Sequence, residues 1–257
     1  MKNLSATFIT LLFIFISLSG YSQSSEKKGI LYSSSVSAGF QLYSKGWNTN
    51  LEFTKIKDFR NSTFLKIELG QLKSEKEIRQ TLELGFSIAG INSPKPFVYA
   101  KQNNFYNLNI LVGKQTMLGE RSSKNGVEVS LKYSGGFSLG ILKPYYLQLI
   151  RPIDNQTYYL SIEKYNPEDA AFFIEPNNIY GSAGFSRGLN ELKFLTGGQL
   201  RAGLNFDWAM YDDFIKSIEV GVVANVYSRR VPIMIISNNK QFFTNFYLGI
   251  QFGKKKA

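Results

Sequence analysis

Three sets of residues in this chain are of types that could do chemistry. The first is a series of charges inside otherwise apolar segments: Glu52, Lys66, Glu68, Glu128, Lys132, Arg201, Asp207 and Glu219. If these share one enclosed space, opposite signs must pair, because an unpaired buried ion costs several kcal/mol. The same charges could also form a narrow ion path or an acidic relay, and paired carboxylates serve as acid and base in glycoside hydrolysis. The second set is Gly135-Gly136-Phe137-Ser138-Leu139-Gly140. A phosphate cradle needs a strand, this loop, and then a helix carrying Lys-Ser/Thr. Lys143-Pro144 blocks that helix, so the glycines are expected at the outer end of a strand, permitting a bend or bulge. The third set is Glu163, Glu168 and Asp169, near Glu175. They lack the spacing of a dedicated calcium loop and are expected as solvated surface.

Absences narrow the chemistry further. The 257 residues include no Cys and no His. Disulfide scaffolds, Cys-ligated zinc, cysteine nucleophiles and the Ser-His-Asp triad are excluded, and the usual imidazole metal ligand is missing. No catalytic residue, metal or cofactor is expected. The 30 Lys+Arg against 19 Asp+Glu give a formal charge of +11. Charged residues are 19% and aromatics 15%, with 22 Gly and 7 Pro. Few charges with many aromatics and glycines suit β-structure packed against something apolar.

The N-terminal 22 residues read as an export signal. Lys2 precedes an apolar stretch from Ala6 to Leu18, and Gly20 and Ser22 flank Tyr21 as a small-x-small cleavage site. The stretch is shorter than the roughly 20 residues of a spanning helix. Residues 1–22 are expected to be removed and 23–257 to form the mature domain. No later segment is long and apolar enough for a spanning helix, so a mature chain that enters a membrane must do so as a closed barrel, where every backbone group is paired.

Alternation of period two identifies the elements that would position the charges. Val36, Ala38, Phe40 and Leu42 oppose Ser35, Ser37, Gly39 and Gln41. The same pattern recurs in 46–56, 62–72, 106–115, 127–133, 200–208, 218–226 and 243–252. The eight segments are each about as long as a tilted strand needs to be to cross a bilayer. Charges sit on the polar face of strand after strand, and Tyr32, Trp47, Tyr133, Trp208 and Phe252 fall near strand ends, as interfacial aromatics do. The expected fold is therefore all-β: an antiparallel up-and-down transmembrane β-barrel of eight strands, apolar face outward. Short links fall at Ser44-Lys45, 58–60 and Asp212-Asp213, and long ones at about 73–102 and 146–196. With the termini on the periplasmic side, the long links become extracellular loops 2 and 3. Leu82, Leu84, Phe86 and Ile88 also alternate, and are expected as a hairpin extension of loop 2.

Asn103-Asn104-Phe105-Tyr106, Tyr133-Ser134-Gly135-Gly136 and Lys143-Pro144-Tyr145-Tyr146, with the closing strand that ends at Phe252, carry a resemblance. Over most of the mature length the chain resembles a family of small, largely uncharacterised outer-membrane β-barrel proteins of Gram-negative bacteria. The resemblance implies outer-membrane location and brings no activity with it. The last strand also looks like the signal read by barrel-assembly machinery, except that Gly253 to Ala257 follow Phe252.

An eight-stranded barrel is just wide enough for side chains to fill it, so the charges are expected as a salt-bridged plug that leaves no room for a sugar. Function then falls to the outer loops, in surface binding or envelope integrity. Tyr158, Tyr159, Tyr165, Phe172, Phe173 and Tyr180 are the expected contact surface, because aromatics bring large area at low entropy cost. Lys73, Lys76, Arg79, Lys95, Lys101 and Arg187 are placed to meet anionic lipopolysaccharide, and Lys254 to Lys256 lie on the periplasmic side. Expected partners are outer-membrane lipid and lipopolysaccharide, the assembly machinery during biogenesis and a surface ligand or protein, and no nucleic acid. The alternatives are a lipid-modifying outer-membrane enzyme and a narrow pore.

Overall fold

A computed structural model describes residues 32–81, 94–119, 127–154, 157–208, 214–236 and 239–256. The segment 1–22, the alternating stretch 82–88 and the turn at Asp212-Asp213 lie outside them. In chain order the strands are β1 (Ser34–Tyr43), β2 (Gly46–Ile56), β3 (Asn61–Leu72), β4 (Arg79–Gln80), β5 (Phe97–Val98), β6 (Asn103–Gly119), β7 (Glu128–Pro144), β8 (Tyr146–Asp154), β9 (Thr157–Lys164), β10 (Ile179–Ser182), β11 (Lys193–Asp207), β12 (Phe214–Tyr227) and β13 (Phe242–Lys256). A short helix, α1, covers Ala170–Ile174.

Eight of these strands close a barrel in the order β1-β13-β12-β11-β7-β6-β3-β2. Every pairing is antiparallel, and β1 meets β13 from Ser34↔Lys256 to Tyr43↔Tyr247. Each strand therefore lies between its sequence neighbours in the barrel, the up-and-down arrangement. The long connections and the two-residue link at 44–45 gather at one end, the loop end. The termini and the links after β2, β6 and β11 gather at the other, the turn end.

The polarity of the wall is inverted relative to a protein that folds around an oily core. On β1, Val36, Phe40 and Leu42 are 38%, 44% and 56% exposed, while Ser35, Ser37 and Gln41 are buried. The same alternation holds around the wall, with Leu51, Phe53, Leu65, Ile67, Leu204, Leu248 and Ile250 all outward. A sheet with one face closed on itself must place that face inside, and here the polar face is the one closed.

The narrow lumen constrains volume. Large inward side chains fit because glycines face them. A Cβ on Gly203 would lie 2.4 Å from the Tyr247 hydroxyl, and one on Gly140 would lie 2.7 Å from the Phe105 ring. This corrects the expectation for the run 135–140. It lies within β7, and the β7–β11 register passes through it unbroken from Leu142↔Lys193 to Glu128↔Asp207. The glycines give room inside and outside the wall rather than a bend. The closing strand also runs further than its hydropathy suggests. Pairing with β1 carries it through Gly253 and the lysines to Lys256, because edge backbone groups are satisfied whatever the side chains.

Beyond the barrel, β10-β8-β9 form a three-stranded sheet and β4-β5 a short ribbon. Phe97, Leu147, Leu149, Phe173 and Ile179 make the core under the three-stranded sheet.

Candidate functional site

Six of the eight charges identified from sequence meet in the lumen. Lys132 Nζ on β7 donates to both oxygens of Glu52 on β2, at 2.6 and 2.8 Å. Lys66 on β3 lies 2.8 Å from Glu52 and 3.4 Å from Glu219 on β12. Lys132 completes the square, 3.7 Å from Glu219. Both ammonium groups also lie over the Phe64 ring, at 5.5 and 4.8 Å. Toward the loop end, Arg201 on β11 pairs with Glu68 on β3 and donates to Gln41 Oε1 at 2.7 Å. Glu68 also accepts from Asn48, Asn109 and Gln199. Tyr247 joins the two clusters. Its hydroxyl donates to Glu219 at 2.6 Å, and its ring lies 4.3 Å under the Arg201 guanidinium.

All eight charges are buried. Glu128 and Asp207 lie directly opposite each other where β7 and β11 approach the turn end. Period-two alternation could place each charge inside. It could not say which strands' charges would meet, because Glu52 and Lys132 are separated by two intervening strands of the wall.

The loop end holds a feature that the sequence reading missed. Val231, Ile233 and Met234, from the connection between β12 and β13, pack on Tyr43, Phe105, Tyr227 and Tyr247 in one buried cluster. The Phe105 and Tyr227 rings meet edge-on at 4.9 Å. Asn239 clamps this segment: its Oδ1 accepts from the Ile233 and Met234 backbone N–H groups at 3.0 and 3.2 Å, and its Nδ2 donates to the Met234 carbonyl at 3.0 Å. The available signal was the apolar run Val231-Pro232-Ile233-Met234-Ile235-Ile236 inside an otherwise polar loop. The result is an apolar layer over the charged lumen.

The expected contact surface separates into two groups. Tyr158 and Tyr159 are 62% and 48% exposed on β9. Phe173 and Tyr180 are buried, which corrects their assignment as contact residues: the Phe173 ring belongs to the core of the outer sheet, and Tyr180 is buried on β10 of that sheet. Tyr165 and Phe172 are half-buried against that core. Tyr165 packs edge-on to Phe173 at 5.7 Å, and Arg151 lies 4.3 Å over Phe172. Beside Tyr158 on the same face, Leu160 and Ile162 are 37% and 41% exposed, so β9 is an edge strand with an apolar outer stripe.

Several charged loop residues hold the loops together. Arg151 grips Glu163 through two hydrogen bonds, at 2.7 and 2.6 Å, and reaches Asp169 at 2.5 Å. That grip lowers the Glu163 carboxyl below the ordinary range. Glu163 and Asp169 thus hold Arg151, while Asp169 stays exposed together with Glu168 and Glu175, as expected of solvated surface. Among the described residues, no group of three or more carboxylates is arranged to hold a metal ion. Lys101 is buried with Glu77 at 2.5 Å, which corrects its placement as an exposed basic residue. Burial pulls its ammonium below the ordinary lysine value, with Glu77 opposing the fall. Lys143 donates to the Phe185 and Arg187 carbonyls.

These features define the class: a closed eight-stranded antiparallel β-barrel, apolar outside and charged inside, with a structured loop end. No protein-family model and no curated protein matches the sequence. Among solved structures, the chain is similar to Ail, the attachment invasion locus protein of Yersinia pestis, at 11% identity and a TM-score of 0.40, covering 86% of this chain and 97% of that one. It is similar to Neisserial surface protein A at 8% identity and a TM-score of 0.37, covering 86% and 94%. It is similar to the N-terminal β-barrel domain of Pseudomonas aeruginosa OprF at 9% identity and a TM-score of 0.33, covering 86% and 96%.

Proposed function

We propose that the chain is an exported, non-enzymatic outer-membrane barrel with a closed lumen, acting through its loop end in surface binding or envelope integrity. The observation that carries this reading is the pairing of an apolar outer wall with a β9 edge that leaves Tyr158 and Tyr159 exposed. An apolar belt around a closed sheet suits hydrocarbon, which accepts only fully paired backbone. The ion pairs and the layer of Val231, Ile233 and Met234 favour a plug over a pore. An edge strand with exposed tyrosines offers backbone groups and aromatic area to a partner. In this reading residues 1–22 direct export, β13 is presented to barrel-assembly machinery, and Lys73, Lys76, Arg79, Lys95 and Arg187 face lipopolysaccharide.

The test begins with washed membranes. A band that shifts on boiling, retained after carbonate washing, is the expected result. A single band released to the soluble fraction would overturn the membrane assignment. Planar-bilayer recording then separates a plug, with no steady conductance, from a narrow pore. An altered lipid A mass on expression would favour the lipid-modifying enzyme. Replacing Tyr158 and Tyr159 together by Ser should leave the gel shift intact and reduce cross-linking of surface partners on intact cells. Unchanged cross-linking would remove β9 as the contact.

A further inference from the structure

The outer wall carries a furrow that the loop-end function does not use. Its floor follows two neighbouring cross-strand rows. In one, Lys114 pairs with Tyr133, Tyr133 with Ala202, and Ala202 with Val222. In the other, Val112 pairs with Gly135, Gly135 with Leu200, Leu200 with Ala224, and Ala224 with Thr244. Small residues alternate with large ones along the second row, and Ala202 in the first lies diagonal to both Gly135 and Ala224, so these three positions form a depression between Tyr133, Leu200 and Val222, with the Leu200 side chain leaning toward Gly135. The depression is an elongated, almost wholly apolar cavity of about 580 Å³. That is within the range of roughly 300–1,000 Å³ of small-molecule sites.

Its direction is set by the barrel. The rows run at right angles to strands that tilt from the axis, so the furrow climbs from the turn end toward the loop end. From β6 to β13 there are four strand spacings, about 19 Å. At the usual barrel tilt this rises roughly 12 Å. One leaflet of a bilayer core is about 15 Å deep.

The low end of the furrow is cationic. Thr63 and Lys114 line it, and the first row continues outward from Lys114 to Thr63 to Lys55. Two ammonium groups thus bracket a hydroxyl on three adjacent strands, all on the outer face. Lys55 and Lys114 are exposed, and neither makes an ion pair among the described residues. An apolar channel of leaflet depth with a cationic, hydroxyl-bearing foot matches a lipid with an anionic head and extended chains. We infer that this furrow seats one acyl chain of a phospholipid in the turn-end leaflet, with its phosphate held by Lys55, Thr63 and Lys114. The inference rests on the membrane-spanning reading above.

The experiment uses the folded full-length mature barrel in mild detergent, incubated with phosphatidylglycerol and weighed intact by native mass spectrometry. Folding of every variant is checked first by the gel shift on boiling. The wild type should retain one lipid. Joint Lys55→Gln and Lys114→Gln replacement should reduce retention about thirtyfold, following the contribution of two membrane-proximal lysines. Ala202→Leu, which fills the furrow from its lipid-facing side, should reduce it comparably. Lys216→Gln, an outward lysine near the turn end of β12, should leave it unchanged. Inorganic phosphate should fail to displace the lipid, because the chain contributes most of the contact. Equal retention by all variants, displacement by phosphate, or a folded wild type without lipid would each overturn the inference. Absence of any heat-modifiable form would instead overturn the membrane reading on which it rests.

Discussion

Lys132 and Glu52 meet at 2.6 Å across the lumen, from β7 and β2, which are not neighbours in the wall. Glu52 also receives Lys66, so one carboxylate neutralises two ammonium groups with help from Glu219. Removing that carboxylate leaves two buried cations sharing one anion. Glu52→Gln should lower unfolding free energy by about 3–5 kcal/mol, the usual cost of breaking a buried pair from one side. Replacing Glu52 and Lys132 together by Gln and Met should recover much of it. Urea titration of the gel-shifted form measures both. A single variant as stable as wild type would show that the lumen does not depend on this pair.

Arg201 holds the second cluster, bonding to Glu68 and Gln41 while lying over Tyr247. Arg201→Ala should lower the unfolding temperature in detergent, because Glu68 would be left buried without its cation. Arg201→Lys should recover only part of the loss, since an ammonium cannot serve a carboxylate, an amide and an aromatic face in one plane. An unchanged temperature in Arg201→Ala would remove Arg201 as the anchor of this cluster.

Room for Tyr247 depends on Gly203. Gly203→Ala should destabilise by roughly 1–3 kcal/mol through overpacking. Tyr247→Phe in the same chain should relieve part of that, because the hydroxyl is the nearest atom to the added Cβ. Thermal unfolding of the single and double variants decides it; purely additive losses would show that the strain lies in the backbone instead.

The mouth layer rests on the side chain of Asn239. Asn239→Ala removes the acceptor for the Ile233 and Met234 amides and the donor to the Met234 carbonyl. Faster hydrogen exchange at Ile233 and Met234, with barrel amides unchanged, is the expected outcome. Unchanged exchange would mean that apolar packing alone holds the layer.

Glu75 ties three loops, pairing with Lys45 and lying 3.0 Å from Lys240. Those two lysines, Lys45 first, hold its carboxyl down to about 2. A carboxyl lowered on folding contributes above its unfolded value and loses that contribution as pH falls through the folded value. The clasp should therefore be intact at neutral pH and loosen between about 4.5 and about 2. Both partners are exposed, so salt should loosen it as well. Limited proteolysis against pH at the links after β1, after β3 and between β12 and β13 measures this. Glu75→Gln should show the acid pattern already at neutral pH, and a flat profile in the wild type would dismiss the clasp.

The barrel was legible because its signal is local. A strand with one face in the lumen alternates every second residue, so Val36 to Leu42 and Phe246 to Phe252 declare their outward face by themselves. The charges on the other face were legible for the same reason. Local signals stop at contacts between distant strands. Nothing near Glu52 names Lys132, and only barrel closure and stagger bring them together. Phe173 is of the same type as the exposed aromatics near it, and only the outer sheet's need for a core buries it. The furrow is less visible still. Gly135, Ala202 and Ala224 lie far apart in sequence and become one feature through register alone. Periodicity therefore determined which way each residue faces, because that depends on its immediate neighbours. The tertiary structure decided what each residue faces, because that depends on strands from elsewhere in the chain.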